Sequence, residues 1–575
     1  MKIDSKKIFV IVLYIVLSIG FILIIPSLIG FSPSTVSESG LTGPSFWNTA
    51  SGKGIIGIIQ VIVGIFLSIM FVVMLAKMGG ISGSLSNMKS GSKYSNQGSA
   101  REGTISELKG LTVPVNTTKK GDGGFTLSKN VRLSAEKSYE HVAIIGPTGS
   151  GKSTSFFIPC LLDADGTHSF VVTDPKGELC NLTSSYLKSI GMDVIKLDPL
   201  HPETNKFFYN PLLIAEDQTD IREVAQLILM NGSKSIEIAM GSSGGGSQTE
   251  WINMSIPLFT ASLAYCKKYG KKKSINEAID IILKYNLKEM DELFKKDDIA
   301  YRQFLIFKAS SGSEKTMSSI KSVLTSNIQL FLDDKIETFT KTPFTMDTST
   351  GKLVIDEKKI FHPDTLRKKP TALFICVEEV KSDYVAPLMS VFYSQLLSIT
   401  SSSYTKEGHK TPILYMLDEF ANIGVIPLIA KVAATARSRK IGLSIGIQGI
   451  EQLKRNYGDE NAKDILNNLK TKLVFSGLVD ESAQYISDLS GVTTVESVSY
   501  SIGENSGDNV LTSLLNRPNK QKSGVRREVL TPDEVRRLDE NEVLIIAHNR
   551  NIVKDKKNTF YTQNKYKDKI KANTK

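Results

Sequence analysis

A chain of 575 residues, 41% hydrophobic and 22% charged, is long enough to require two or more folded domains. Its formal charge of +11 suits an acidic partner, nucleic acid or anionic lipid, without selecting between them. Four cysteines and six histidines, scattered with no C-x-x-C spacing, argue against disulfides and a zinc hydrolase and agree with a reducing cytoplasm.

Two apolar stretches, 8–29 and 55–76, are each long enough to cross a bilayer and contain no charge. Lys2, Lys6 and Lys7 precede the first and Lys77, Lys89 and Lys93 follow the second, whereas the intervening loop holds only Lys53. The positive-inside rule therefore predicts a membrane anchor over 1–77 with both ends cytoplasmic and a short exposed loop around Phe46 and Trp47. A cleaved signal peptide does not fit the first stretch, which is too long and lacks a small-residue cleavage site. Residues 78–100, opening with Gly79-Gly80-Ile81-Ser82-Gly83-Ser84, read as a flexible linker.

From 101 onward apolar β-type runs alternate with helical patterns, which predicts an α/β domain with a parallel sheet buried on both faces. The strand candidates are 141–145, 169–173, 193–197, 371–377, 412–417, 442–447, 472–478 and 542–547. The first runs into Gly146-Pro147-Thr148-Gly149-Ser150-Gly151-Lys152-Ser153-Thr154, a G-x-x-x-x-G-K-S phosphate loop. Its glycines let backbone N–H groups converge on phosphate oxygens, and the following helix adds its positive end. Lys152 suits the β/γ-phosphates and the Ser153 hydroxyl suits Mg²⁺, which makes ATP with Mg²⁺ the expected ligand pair.

The second strand ends in Asp174-Pro175-Lys176-Gly177-Glu178, which places three charged residues on the ligand-binding edge of the sheet with chemistry the sequence leaves unassigned. Residues 216–345 show almost no strand signal. Ile252, Ile256, Phe259 and Leu263, and again Ile320, Leu324, Ile328 and Phe331, recur at helical spacing; Ser274 and Glu277 suggest a capping box. The expectation is an all-α domain inserted into an NTPase domain formed by 101–215 and 346–553, with a mobile loop at 241–246.

Ile413–Leu417 is an apolar strand closed by Asp418 and Glu419. The aspartate fits a Walker B residue binding Mg²⁺, and the glutamate can polarise an attacking water. The strand 442–447 ends at Gln448, a candidate γ-phosphate sensor. Arg437 and Arg439 precede that strand. Arg437 is either an arginine finger acting on a neighbouring subunit or a solvated or DNA-facing cation. Residues 501–524 read as a flexible surface loop, and 554–575 as a basic tail with Phe560, Tyr561 and Tyr566, disordered or touching DNA.

Taken in order, these features resemble the type IV coupling proteins of conjugation and secretion, the TraG/TraD-like family. The resemblance rests on the two apolar stretches, Gly98-Ser99-Ala100-Arg101, GPTGSGKST, VVTDPKGEL at 171–179, YNPL at 209–212 and the helical insert. LDEF at 417–420, the Gln448 strand, and LTPDEVRRL at 530–538 before EVLIIAHNR at 542–550 complete it. It implies a RecA/FtsK-like P-loop NTPase core with an inserted all-α domain, behind two transmembrane helices. Such proteins assemble as a homo-hexamer on the cytoplasmic face of the bacterial inner membrane. They take a relaxase-bound single DNA strand and drive it by ATP hydrolysis toward the secretion channel subunits. Carried over motif by motif, Lys152, Ser153, Asp418, Glu419 and Gln448 form the site. The helical domain is tied in the family to substrate recognition, for which Lys267, Lys268 and Lys271 to Lys273 offer a hint equally readable as a solvated face.

Three other functions share the motifs: an FtsK-like duplex translocase, a relaxase or protein-cargo receptor using ATP for assembly, and a protein-exporting ATPase. The first usually has more membrane helices and a C-terminal winged helix, neither of which is seen here. Glu419 argues against the second, because a scaffold has no need of a water-activating carboxylate.

Overall fold

The run Val142–Ile145 (β1) is apolar at every position because alternate side chains enter two different cores. Ala143 and Ile145 join one cluster, shared with the helical region, while Val142 and Ile144 join a second on the opposite face. The same holds along the central sheet, so the continuous Val/Ile/Leu pattern reflects two covered faces. The computed structural model describes residues 98–571 apart from 118, 241–245, 349–350 and 502–518. The expected membrane helices at 8–29 and 55–76, and most of the linker, lie outside the described residues. Among the described residues no helix is long and apolar enough to cross a membrane.

The other strands of the main sheet are β2 (Ser169–Thr173), β3 (Asp193–Leu197), β4 (Thr371–Ile375), β5 (Ile413–Leu417), β6 (Ile441–Ile447), β7 (Thr471–Phe475), β8 (Glu542–Ala547) and β9 (Val553–Lys556). Their spatial order is β9-β8-β7-β1-β6-β5-β2-β4-β3. From β7 to β3 all neighbours are parallel, and β8 and β9 close one edge antiparallel. The carboxyl ends of β1, β2, β5 and β6 therefore share one edge, the place where open α/β sheets bind ligands. Each fully buried aliphatic side chain here contributes roughly 1.5–3 kcal/mol, which keeps that edge rigid.

Between Gln218 and Thr340 the described chain is helical, with long helices at Gln218–Met240 and Gly246–Tyr269 and five shorter ones. Ile252, Ile256, Phe259, Leu263, Ile320, Leu324, Ile328 and Phe331 are all buried. Ser274 accepts from the Glu277 amide at 3.3 Å, but the Glu277 carboxylate turns to the amides of Lys271, Lys272 and Lys273 instead of closing the capping box. Two of the lysines there are engaged within the fold. Lys267 donates to the carbonyls of Leu212 and Ala215, and Lys268 pairs with Asp297 at 3.0 Å.

Two further expectations are corrected. Val492–Ser501 and Asn519–Glu528 form a ten-pair antiparallel ribbon, so the segment read as a loop from 501 to 524 is partly strand. Its base is joined by the chain near Ser99, where the Ala100 amide donates to Val492 O at 3.0 Å. The basic tail is also folded. It begins within β9, and a helix, Asn564–Lys571, buries Tyr566 completely. The Tyr566 hydroxyl donates to Asp163 Oδ2 at 2.7 Å and accepts from Asn558 Nδ2 at 2.8 Å. Asp163 is itself buried and needs such donors, and Lys565 lies 3.4 Å from its other oxygen.

Candidate functional site

The phosphate loop leaves β1 with the Gly146 amide donating to Ile447 O at 3.1 Å, which ties it to the end of β6. Gly149 and Gly151 have φ of 80° and 92°, a left-handed conformation that other residues adopt only with strain. Lys152 is only 5% exposed; its ammonium donates to Gly146 O at 2.8 Å and to Pro147 O at 3.5 Å, and lies 3.4 Å from Glu419 Oε1. Thr154 Oγ1 donates back to Gly151 O at 3.2 Å. Ser150 Oγ is buried without a hydrogen-bond partner among the described residues. A cavity of about 720 Å³ opens against Pro147 to Gly151, Ser153 and Thr154. An unpaired hydroxyl, glycines in the left-handed region and an adjoining cavity fit a phosphate-bearing ligand.

Asp418 ends β5 facing the loop, and Ser153 Oγ donates to its Oδ2 at 2.7 Å. Burial pushes the Asp418 carboxyl up to about 6, opposed by the Ser153 hydroxyl and the Lys152 cation. The hydroxyl and carboxylate are the two groups a Mg²⁺ ion would draw on here. Gly446 on β6 makes room for them, since a Cβ there would lie 3.1 Å from Asp418 Oδ1. Glu419 adopts φ 49°, left-handed for a non-glycine, and its amide donates to Asp418 Oδ1 at 3.0 Å. That turn aims Glu419 Oε1 at Lys152 and Oε2 at Gln448, whose Nε2 donates to it at 3.1 Å. The backbone amide of Gln448 is itself held by Gln452 Oε1 at 3.0 Å. Lys152, Ser153, Asp418, Glu419 and Gln448 thus meet in one hydrogen-bonded cluster spanning three strand ends.

Arg437 does not join them. It sits in the turn before β6, at the amino end of the sheet, paired with Glu140 at 2.9 Å. Seven strand residues at ~3.3 Å each put it roughly 20 Å from its own phosphate loop. Within one chain it is no part of the site.

The Asp174–Glu178 motif divides in two. The Asp174 carboxylate accepts from the amides of Leu179 and Cys180 at 3.2 and 2.8 Å, capping the helix Glu178–Ser189. Lys176 and Glu178 line the cavity. Sequence reasoning missed the opposite wall, made by Arg536, Leu538 and the segment that follows β9, with Lys557, Thr559 and Tyr561. The signal was a mixture of lysines and aromatics indistinguishable by composition from a solvated tail.

Curated relatives and solved structures resemble this chain. It is 26% identical over 429 residues to the protein VirD4 of Rhizobium rhizogenes, covering 73% of this chain and 58% of that one. It is 24% identical over 426 residues to the conjugal transfer protein TraG of Escherichia coli, covering 69% and 62%. The chain thus spans about three fifths of the length of these relatives. The fold is shared with the bacterial conjugative coupling protein TrwB, in its unbound form, at TM-score 0.57 and 17% identity over 80% of this chain and 92% of that one. The same fold occurs in TrwB bound to the ATP analogue ADPNP, also at TM-score 0.57, and in TrwB bound to ADP and Mg²⁺. The family described as Type IV secretory system Conjugative DNA transfer matches residues 93–575, and the chain belongs to that family.

Proposed function

We propose that this protein is a membrane-anchored ATPase that couples a relaxase-bound single DNA strand to a type IV secretion channel and drives its export. The observation that carries the reading is the cluster of Lys152, Ser153, Asp418, Glu419 and Gln448 at the carboxyl ends of β1, β5 and β6. In this reading Lys152 leaves its loop carbonyls for the β/γ-phosphates of ATP, and Ser153 and Asp418 hold Mg²⁺. Bound there, the ion neutralises charge on the phosphates. Glu419 orients the attacking water and accepts its proton, while Gln448 fixes the second Glu419 oxygen and passes the γ-phosphate state along β6. Arg437 serves a neighbouring subunit, which is consistent with a homo-hexamer whose subunits complete one another's sites. The two apolar stretches at 8–29 and 55–76 anchor the chain in the bacterial inner membrane, with the ATPase in the cytoplasm. The family membership and the charge of +11 favour a DNA substrate.

Donor cells carrying Lys152→Ala test this reading, with insertion checked by membrane fractionation. They are expected to transfer no DNA; transfer at the wild-type level refutes a motor.

A further inference from the structure

The cavity beside the phosphate loop has two halves that differ in chemistry. The recess holding Asp418 and Glu419 also contains Thr148, Ser153 and Asp174. The larger cavity contains neither of those strand-end residues; besides Glu178 and Glu540 it is walled by Lys557, Thr559 and Tyr561. These residues follow β9 directly, so the antiparallel edge of the sheet delivers them to the loop.

Lys557 is held there by specific contacts. Its amide donates to Asn541 O at 2.8 Å and its ammonium to Ser150 O of the phosphate loop at 2.7 Å. The ammonium also lies 5.2 Å from the centroid of the Phe475 ring, a cation–π distance. Thr559 Oγ1 stands 3.1 Å from Ser155 Oγ on the helix that follows the loop. Lys557 is half-buried and forms no ion pair among the described residues; Asp539 and Glu540 act on it only through space, and burial lowers its pKa. A half-buried cation bonded to a carbonyl and a ring, beside a loop built for phosphate, lacks the anion that would repay its desolvation. Tyr561, 55% exposed, and Leu538 line the same cavity.

We propose that Lys557 contacts the α- and β-phosphates of the bound nucleotide and that Tyr561 carries its base, making 557–561 part of the nucleotide site. This rests on the reading of the cavity as an ATP site. Because Lys557 lies away from Asp418 and Glu419, it acts on ATP and ADP alike and not on the transition state, which is uniform binding. The ligand class it recognises is a nucleoside diphosphate moiety.

The test is equilibrium binding of ADP and of inorganic pyrophosphate to the full-length protein in detergent, alongside ATP hydrolysis kinetics. Lys557→Ala is expected to weaken both ligands roughly tenfold or more, the loss typical of one charge-assisted hydrogen bond. Lys557→Arg is expected to retain most of the affinity. Tyr561→Ala should weaken ADP and leave pyrophosphate unchanged. In hydrolysis, Lys557→Ala should raise KM with kcat within about twofold of wild type. The assignment is overturned if Lys557→Ala binds ADP as wild type does, or if kcat collapses at unchanged KM. It is equally overturned if Lys557→Arg fails to restore binding while thermal unfolding of the ligand-free protein falls, which marks a structural role. If wild type itself binds no nucleotide, the reading of the site fails instead.

Discussion

Replacing Asp418 by Asn should stabilise the ligand-free protein while abolishing its activity. Asp418 is 4% exposed, and burial lifts its carboxyl from an ordinary 3.8 to about 6. A raised carboxyl pKa adds stability that is fully present below 3.8 and lost as pH rises through 6. At pH 7.5 the ionised group therefore costs the fold about 3 kcal/mol, at 1.36 kcal/mol per unit. By the same linkage the cost shrinks as pH falls below 6 and is nearly gone by pH 4. Asparagine can keep its oxygen for the Glu419 amide, donate its Nδ2 to Ser153 Oγ and carry no charge, so Asp418→Asn should recover much of that cost. The assay is thermal unfolding of wild type and variant, without nucleotide, across pH 4 to 8. The expected result is a gain of a few degrees at pH 7.5 that shrinks toward pH 4, with Mg²⁺-dependent hydrolysis gone throughout. A variant less stable than wild type at pH 7.5, or a gain that grows on acidification, refutes the reasoning.

Glu419→Gln should bind ATP with near-normal affinity and turn it over at least a hundredfold more slowly. Normal turnover in a steady-state assay removes Glu419 from the chemistry. Arg437→Ala breaks an ion pair whose arginine is 60% exposed, so stability should change by less than about 1 kcal/mol. Hydrolysis should nevertheless fall, and part of it should return on mixing with Lys152→Ala subunits; a chain that hydrolyses ATP normally without Arg437 rules out the finger. Tyr566→Phe should cost about 1–2 kcal/mol through the lost bond to Asp163, and Tyr566→Ala roughly 3–5 kcal/mol through the cavity as well. An unfolding temperature unchanged in Tyr566→Ala would show that the C-terminal helix is undocked in solution.

The α/β core was legible because its signals are local. The strands from β1 to β8 are short runs rich in buried aliphatics, with the edge strand β3 carrying Asp193 and Lys196 among them, and each candidate range coincides with its strand to within three residues at either end. The phosphate loop and the Asp418-Glu419 pair are contiguous motifs read directly from neighbouring residues. What escaped was long-range or polar. The bond from Lys557 to Ser150 spans 407 residues, and no local pattern announces it. As an edge strand, β9 alternates Val553 and Asp555 inward with charged Lys556 outward, a pattern easily taken for a solvated tail. The ribbon from Val492 to Glu528 is rich in Ser, Thr, Lys and Arg, so its pairing left no hydrophobic signature. The glutamate's left-handed turn, which aims Glu419 at both Lys152 and Gln448, is a backbone property that residue types alone do not reveal.

The central claim, a DNA-coupled motor, is tested most directly by ATP hydrolysis of the purified protein with and without single-stranded DNA, using Lys152→Ala as control. The account predicts that DNA accelerates hydrolysis by the wild type and leaves Lys152→Ala inactive. Hydrolysis by the wild type at the same rate with and without DNA contradicts it.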